Sequence, residues 1–299
     1  MAILNLPINA TTFAESVKAE CKQLIELGLW DVRMARFESW IKQFCGNEEE
    51  FFSACLLDQI ILRTTQQFEA GLRSLLRSNL NSNLFSGAPD LELSQKLASR
   101  NDPKLRLVPV ICETDPPTKS GPLVLRRLQR SLQFNQQWMC WPWQAPDHIR
   151  AGTEIIIFVD DFLGSGRQFV KFFNQWKFHE FSEGVRYFYA PVVAHQQGII
   201  HLKNELPAIC VTSAETLGES HGFFSAEVWS RLGQGNISAE EAKAWYLDFA
   251  NQRGFSPKSI GPLGVGDLAL TFGFSHSTPN NSLPILWYET SGWQPLLER

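Results

Sequence analysis

The chain has 299 residues, of which 44% are hydrophobic and 19% charged, and its formal charge at pH 7 is −4. This composition is ordinary for a soluble globular protein and excludes large-scale disorder, and the charge gives no overall attraction to nucleic acid or anionic membranes. The sequence contains no run of eighteen apolar residues and no basic segment followed by an apolar one. We therefore expect no transmembrane helix, no secretory signal, no membrane partner and a cytoplasmic location.

The first eighty residues repeat apolar side chains at helical spacing, as in Phe13, Val17 and Cys21. The run Asn47-Glu48-Glu49-Glu50 predicts a helix start, because a capping Asn and acidic residues suit a first turn. Residues 79–102 are rich in Asn, Ser, Gly and Asp, which indicates a boundary. The sequence thus predicts a helical N-terminal region over residues 1–85 and a second domain over 103–299 with a Gly/Pro-rich C-terminal extension.

The second region alternates strand-like and helical segments. The strand-like segments cover residues 106–112, 154–159, 185–194, 208–212 and 268–274, and the helical ones cover 121–132, 165–178, 196–204 and 238–251. Such alternation predicts right-handed crossovers and a parallel sheet covered on both faces, which suits a segment as apolar as residues 154–159. The predicted fold class is therefore α/β, a Rossmann-like parallel sheet with an N-terminal helical layer.

The six cysteines lie scattered through predicted helices and strands, at Cys21, Cys45, Cys55, Cys112, Cys140 and Cys210. No CxxC pair is present, and neither cysteine nor histidine shows a spacing that suits zinc. We therefore expect reduced, buried thiols. We also expect no metal site built from imidazole groups.

The segment EIIIFVDDFLGSGRQFV, residues 154–170, joins an apolar strand to two acids and a glycine-bearing turn. Ligands of a parallel sheet bind beyond the carboxyl ends of its strands, where Asp160 and Asp161 are expected. Neighbouring carboxylates suit sugar hydroxyls or Mg²⁺, because they are costly to bury without such partners. Glycines at 164 and 166 allow the amides of residues 164–168 to converge on one phosphate, with the Ser165 hydroxyl as a further donor. Together these features predict a binding site for a sugar phosphate.

A second turn suited to phosphate lies upstream. Lys119, Ser120 and Gly121 follow the predicted strand 106–112 and precede the predicted helix 121–132. A surface turn is the alternative interpretation of these three residues. Two such turns in this chain order fit one ribose that carries two phosphate groups.

The segment around the acidic pair resembles the phosphoribosyl pyrophosphate motif of type I phosphoribosyltransferases. The resemblance implies that Asp160 and Asp161 hold the ribose 2′- and 3′-hydroxyls and reach Mg²⁺ through the ribose or water. It implies that the 5′-phosphate is bound by Gly164, Ser165, Gly166, Arg167 and Gln168, and the pyrophosphate by Lys119, Ser120 and Gly121. Gln168 departs from the family pattern, which usually has Thr or Ser there, so one hydroxyl donor is absent.

The resemblance implies a phosphoribosyltransferase-like enzyme that binds phosphoribosyl pyrophosphate or a related nucleotide with Mg²⁺ and reacts at the anomeric carbon. Members that act on 6-oxopurines have an Asp where this chain has Gly164, which disfavours that substrate class. The group that accepts the ribose is either a nucleobase or water, and the sequence does not distinguish the two. A nucleotide-sensing or partner-binding module without turnover is the alternative.

The C-terminal segment GPLGVGDLALTFGFSHSTPNNSLPILW resembles phosphoribosyltransferase-like effectors encoded beside bacterial anti-phage systems, including some retrons. This second resemblance implies a role in defence. A reverse transcriptase or a nucleic acid is then an expected partner, and a homo-oligomer remains open.

Three further features favour solvent exposure, packing or a local hydrogen bond over ligand binding. Arg126, Arg127 and Arg130 share part of a helix surface, which is usually a solvated face and otherwise a contact for phosphate or nucleic acid. The segment WMCWPW, residues 138–143, favours packing under a loop over stacking on a base. His276, in a polar turn, is expected to be hydrogen-bonded within that turn.

Overall fold

The computed structural model of the chain describes residues 3–80, 84, 92–98, 104–116, 118–181, 183–255 and 260–299. It divides the chain into two compact units. One unit is Gln66–Leu217, and the other combines Met1–Thr65 with Gly218–Arg299. This grouping differs from the predicted division into 1–85 and 103–299, because the N-terminal helices share a core with the C-terminal segment. Much of the predicted boundary at 79–102 lies outside the described residues.

The described residues form twelve α-helices and seven strands. The helices are α1 Ala10–Glu26, α2 Met34–Ile41, α3 Asn47–Asp58, α4 Thr65–Ser74, α5 Glu92–Ala98, α6 Ser120–Leu132, α7 Ala145–Arg150, α8 Arg167–Gln175, α9 Gln196–Glu205, α10 Ala226–Leu232, α11 Ala239–Arg253 and α12 Pro284–Trp287. The strands are β1 Ile61–Arg63, β2 Leu105–Pro109, β3 Ile155–Leu163, β4 Arg186–His195, β5 Ile209–Val211, β6 Glu215–Leu217 and β7 Phe272–Phe274. None of the described helices is long and apolar enough to span a bilayer.

The unit Gln66–Leu217 contains a five-stranded parallel sheet. Its order is β2-β3-β4-β5, and β6 pairs with the carboxyl-terminal part of β4. The central strands β3 and β4 are buried along most of their length, because helices cover parallel sheets on both faces. The predicted α/β class with a parallel sheet is confirmed.

Helix α8 covers one face of this sheet with aromatic side chains. Phe169, Phe172 and Phe173 recur at helical spacing and are at most 4% exposed. All three rings pack within 6.1 Å of the Phe158 ring on β3. This packing fixes the start of α8, and therefore the turn before it, relative to the end of β3.

The other unit buries a mostly helical core around a short parallel pair, β1 with β7. Its aromatic centre includes Trp40, Phe44 and Trp293, whose rings pack within 6.4 Å of one another. The predicted strand 268–274 is shorter than expected and pairs with β1, in a region predicted to be helical. Helix α3 begins at Asn47 as predicted, but Gly46 rather than Asn47 occupies its capping position.

All six cysteines are free, as predicted, although not all are buried. Cys45 is exposed and Cys210 half-buried, whereas the other four thiols lie in the interior. Within the described residues, no group of three or more His, Cys, Asp or Glu side chains could hold a metal ion.

Candidate functional site

Strand β3 extends further than predicted and contains both acids. β2 ends at Pro109, opposite Val159, whereas β4 continues to pair with β3 as far as Leu163. Asp160 and Asp161 therefore lie within β3 rather than after it, because the long partner strand β4 prolongs the pairing. On the β2 side of β3, however, Asp160 and Asp161 lie beyond the last residue of β2. The loop that leads from β2 to α6 begins beside them, where the Val110 N–H donates to the Val159 carbonyl.

Asp160 is buried and hydrogen-bonded inside the protein. Its Oδ1 accepts from the Asp161 backbone N–H at 3.0 Å, and its Oδ2 accepts from the Tyr189 hydroxyl at 3.0 Å. Burial and then the charge of Asp161 raise the pKa of Asp160 well above its ordinary value, and the nearby Lys119 ammonium offsets this only in part. Asp161 is 9% exposed against 3% for Asp160. It is the more accessible carboxylate of the pair.

Tyr189 is a residue of the candidate site that the sequence analysis missed, because its hydroxyl binds Asp160. The parallel register pairs Tyr189 with Phe158, two residues before Asp160 and on the same face of β3. The Phe169 ring of α8 stacks on Tyr189 with ring centroids 3.8 Å apart, which fixes the phenol. Burial, followed by the negative charge of Asp160, raises the pKa of Tyr189, so its hydroxyl remains a donor. Strand alternation would identify this tyrosine only once the register is known.

The turn between β3 and α8 has one glycine in the left-handed region. Gly166 has φ +80°, and a Cβ added there would lie 3.0 Å from His201 Cδ2 and 3.1 Å from the Gly198 carbonyl oxygen. Gly166 occupies the N-cap position of α8 and makes no side-chain cap hydrogen bond to the first turn of the helix. Ser165 is half-buried, and Arg167 and Gln168 are exposed.

The second predicted turn leads into α6 at the end of β2. Lys119 is extended at φ −57° and ψ 141°, and α6 begins at the next residue, Ser120. A Cβ at Gly121 would lie 2.7 Å from the Val110 carbonyl oxygen, so the start of α6 abuts the chain just past β2. Because β2 and β3 are parallel neighbours, the turns that follow them lie at the same edge of the sheet, and the charge of Lys119 lowers the pKa of Asp160.

Lys171 on α8 is a second cation at this edge that the sequence analysis did not single out. Burial and then Asp115 raise the pKa of Cys112, whereas the charges of Lys171 and Lys119 lower it. The Cys112 backbone N–H also donates to Asp115 Oδ2 at 2.8 Å, which shapes the loop between β2 and α6. Two lysines, Lys119 from the turn before α6 and Lys171 from α8, therefore lie near this loop.

The arginine cluster on α6 divides into two kinds of side chain. Arg127 Nη1 pairs with Glu69 Oε1 of α4 at 3.0 Å, so it has a structural partner. Arg126 and Arg130 are exposed and have no ion pair with the described residues.

The aromatic segment 138–143 divides in the same way. Trp138 is 2% exposed and belongs to the core, as predicted. Trp141 and Trp143 are 39% and 46% exposed, contrary to the prediction, because they stack on each other at the surface. The His276 ring stacks on Phe274 with centroids 5.2 Å apart, so packing accounts for much of its position.

The raised pKa of Asp160 predicts a pH-dependent effect of the variant Asp160→Asn. Ionisation of Asp160 costs folding energy, and that cost grows as the pH rises from about 4, the unfolded value, through the folded pKa. An Asn at 160 can accept from the Asp161 N–H and donate to the Tyr189 oxygen without ever ionising. We therefore expect the melting temperature of Asp160→Asn, relative to the unmodified protein, to be higher at pH 8 than at pH 5.

Thermal denaturation at the two pH values measures this difference. The matched control is Asp147→Asn, whose carboxylate is a surface partner of Arg150. We expect the control to change the melting temperature by less than about 2 °C, because exposed ion pairs contribute little. Equal shifts for Asp160→Asn at both pH values would show that its carboxylate does not carry the expected cost.

The comparisons with known proteins agree with this geometry at the level of the family. The comparison with curated proteins finds no match. A family model described as PRTase-CE matches residues 37–299, a span that includes both glycine-bearing turns and the acidic pair. The chain therefore belongs to the PRTase-CE family, which is phosphoribosyltransferase-like.

Proposed function

We propose that the chain binds phosphoribosyl pyrophosphate with Mg²⁺ at the carboxyl edge of β2 and β3 and acts at the anomeric carbon of the ribose. One observation carries the proposal. The parallel neighbours β2 and β3 end at the same edge of the sheet, where β2 leads to the turn with Lys119 and β3 leads through the acidic pair into the turn before α8. Two turns suited to phosphate and a pair of carboxylates thus meet at one edge, which fits a ribose with phosphate groups at both ends.

Each group has a role that follows from its position. The amides of residues 164–168 and the Ser165 hydroxyl donate hydrogen bonds to the 5′-phosphate. The exposed Arg167, at the start of α8, adds a positive charge beside it. Asp161 accepts from a ribose hydroxyl, and Asp160, held by Tyr189, supports it. Lys119 and the first amides of α6, at Ser120 and Gly121, stabilise the pyrophosphate.

The acidic pair fits Mg²⁺ that arrives with the ligand better than a metal held by protein alone. No cluster of three potential ligands occurs among the described residues, and Mg²⁺ commonly binds one or two carboxylates together with substrate phosphates and waters. The cation would neutralise charge on the pyrophosphate. Asp160 and Asp161 would contact it through the ribose or through water, and a nearby cation would favour their ionised form.

The reaction breaks the bond between the anomeric carbon and the pyrophosphate oxygen, and its electron pair leaves with pyrophosphate. A new bond forms to a nitrogen of a base or to the oxygen of water, which loses a proton. The protein's task is to hold the ribose in place and to stabilise the departing charge with Lys119 and backbone N–H groups. Gly164 supplies no side chain for the acceptor's proton, so the base, if one is needed, lies outside this turn.

Pyrophosphate release tests the proposed reaction. We expect the protein, incubated with phosphoribosyl pyrophosphate and Mg²⁺, to release pyrophosphate either with one added nucleobase or with water alone, which yields ribose 5-phosphate. The variant Asp161→Asn should lower the rate at least about 100-fold, which corresponds to about 2.7 kcal/mol of lost stabilisation. The control Glu154→Gln, at the other end of β3, should not. Absence of release over hours, with binding intact, would exclude catalysis.

A sensing or partner-binding module without turnover is the second candidate. It is favoured by Asp160, whose two oxygens already accept hydrogen bonds from within the protein, and by Gln168, which lacks the usual hydroxyl. In this case phosphoribosyl pyrophosphate should raise the melting temperature as its concentration exceeds the dissociation constant, but pyrophosphate should not appear. The two candidates share the binding site and differ only in this product.

A role in anti-phage defence, with a reverse transcriptase or nucleic acid as partner, belongs to the same proposal. Its support is the resemblance of the C-terminal segment that contains β7. Plating of phage on cells that express the protein with its neighbouring genes tests it. Phage should form few plaques on cells with the unmodified protein or Glu154→Gln and many on cells with Asp161→Asn. Equal plaque counts on these three strains would contradict the role.

A further inference from the structure

A surface cleft of about 510 Å³ lies on the flank of the sheet beyond the edge strand β2. One wall is α6, and the other is the segment 136–144. Met139 bridges to Leu107 of β2, and the Cys140 N–H donates to the Leu107 carbonyl at 3.1 Å, so this segment continues the sheet outward. The acidic pair lies on β3, on the opposite side of β2. The cleft adjoins the proposed pyrophosphate turn through Pro109 and Pro122, and the rest of its lining belongs to α6 and the segment 136–144.

The cleft is positively charged although the chain as a whole is acidic. Arg126 and Arg130 line it and have no ion pair with the described residues. No Asp or Glu is among the described residues of its lining, whereas the formal charge of the chain is −4. Arg127, between them on α6, is instead bound to Glu69. Residues four apart on a helix lie about 5–6 Å apart at Cβ, a separation that successive phosphates of one strand can bridge.

A row of indoles leads away from the cleft. Trp141 lines it and stacks parallel to Trp143, with ring centroids 5.0 Å apart and an interplanar angle of 5°. Trp143 in turn packs on Trp176 at 6.0 Å, and Trp176 Nε1 donates to the Ile111 carbonyl in the loop after β2. Burial of large aromatic rings stabilises a protein or a complex, and Trp141 and Trp143 remain well exposed to solvent. Their exposure therefore indicates a partner that covers them.

The backbone around Trp141 is fixed before any ligand binds. Pro142 follows it at the start of a 3₁₀ turn, and Gln144 Oε1 accepts from the Trp141 backbone N–H at 3.0 Å. On the opposite wall, Gln129 Nε2 donates to the Phe134 carbonyl at 3.2 Å, which leaves its Oε1 for a ligand. Gln136 adds another amide to the lining. Positioned amides of this kind can pair with the edge of a base.

We propose that this cleft binds single-stranded nucleic acid, with one base stacked on Trp141 and the adjoining phosphates on Arg126 and Arg130. Stacking on an aromatic ring beside a basic groove is how single strands are held without a duplex. Trp143 covers one face of Trp141, so a base in the cleft continues a stack that already exists. An acidic peptide would satisfy the arginines but would leave the indoles uncovered.

Fluorescence anisotropy with labelled twelve-residue oligo(dT) and oligo(A) RNA tests the proposal at low salt. We expect Trp141→Ala to weaken binding about 5- to 150-fold and Trp141→Phe to restore most of it. Arg126→Gln and Arg130→Gln should each weaken binding and lower the slope of log affinity against log salt by about 0.7. The control on the same helix, Arg127→Gln, should leave affinity and slope unchanged.

Four results would overturn the proposal. The first is no binding of either strand at low salt, and the second is equal binding by Trp141→Ala and the unmodified protein. The third is a dimer in sedimentation experiments that Trp141→Ala dissociates without any effect on the oligonucleotide, which would make the cleft a protein interface. Competition by AMP or thymidine monophosphate at the same concentration as the oligomers would also contradict it, because a mononucleotide site would then suffice.

Discussion

The variant Asp161→Asn should weaken the binding of phosphoribosyl pyrophosphate with Mg²⁺ about 10- to 150-fold. The reason is that a hydrogen bond to a charged group contributes about 1.5–3 kcal/mol. Both oxygens of Asp160 already accept hydrogen bonds, and Asp161 is the more exposed acid. We therefore expect the loss at Asp161 to exceed the loss caused by Asp160→Asn. Isothermal titration of the two variants and the unmodified protein measures both.

Glu154→Gln is the matched control for this titration. Glu154 precedes β3 at its amino end, pairs with Lys104 at the surface and undergoes the same change of charge. Its affinity should equal that of the unmodified protein. Equal binding heats for Asp161→Asn and Glu154→Gln would show that the carboxylate pair does not contribute to the proposed site.

Gly198→Ala should lower the stability of the protein and disturb the turn before α8. Gly198 lies in the first turn of α9, and a Cβ there would overlap the Gly164 carbonyl oxygen and lie 3.0 Å from Leu163 Cγ. A backbone oxygen cannot move without moving the turn, so either α9 or the turn must shift. Overpacking of this kind costs about 1–3 kcal/mol and occasionally more. Affinity for phosphoribosyl pyrophosphate should fall as well.

Urea denaturation and ligand titration test both consequences. Gly292→Ala is the control, since a Cβ at 292 meets no atom within 4 Å. It should change the free energy of unfolding by less than about 0.5 kcal/mol. If Gly198→Ala is as stable as this control and binds the ligand equally well, α9 does not hold the turn in the way that the structure indicates.

Local patterns predicted the elements that carry the site but not their ends. The apolar run before Asp160 identified β3, and the glycines identified the turn to α8, because both signals lie within a few residues. The end of β3 depends on pairing with β4, which extends to Leu163 and has no local signal. The hydrogen bond from Tyr189 depends on the same register and could not be predicted without it.

Grouping of distant segments was also beyond local patterns. Strand β1 pairs with β7, near the opposite end of the chain, so the N-terminal helices belong with the C-terminal segment rather than in a domain of their own. The aromatic segment 138–143 shows a related difficulty. Composition favoured burial, yet whether a given indole is buried depends on which neighbours surround it, and Trp138 and Trp141 differ in this respect.

The location of bound phosphoribosyl pyrophosphate and Mg²⁺ in a crystal of the complex is the most direct measurement of the central claim. We expect the 5′-phosphate to accept hydrogen bonds from the amides of residues 164–168, a ribose hydroxyl to donate to Asp161, and the pyrophosphate to lie beside Lys119. Density for the ligand elsewhere, or a fully occupied crystal in which the Asp161 carboxylate contacts no atom of the ribose, would contradict the account.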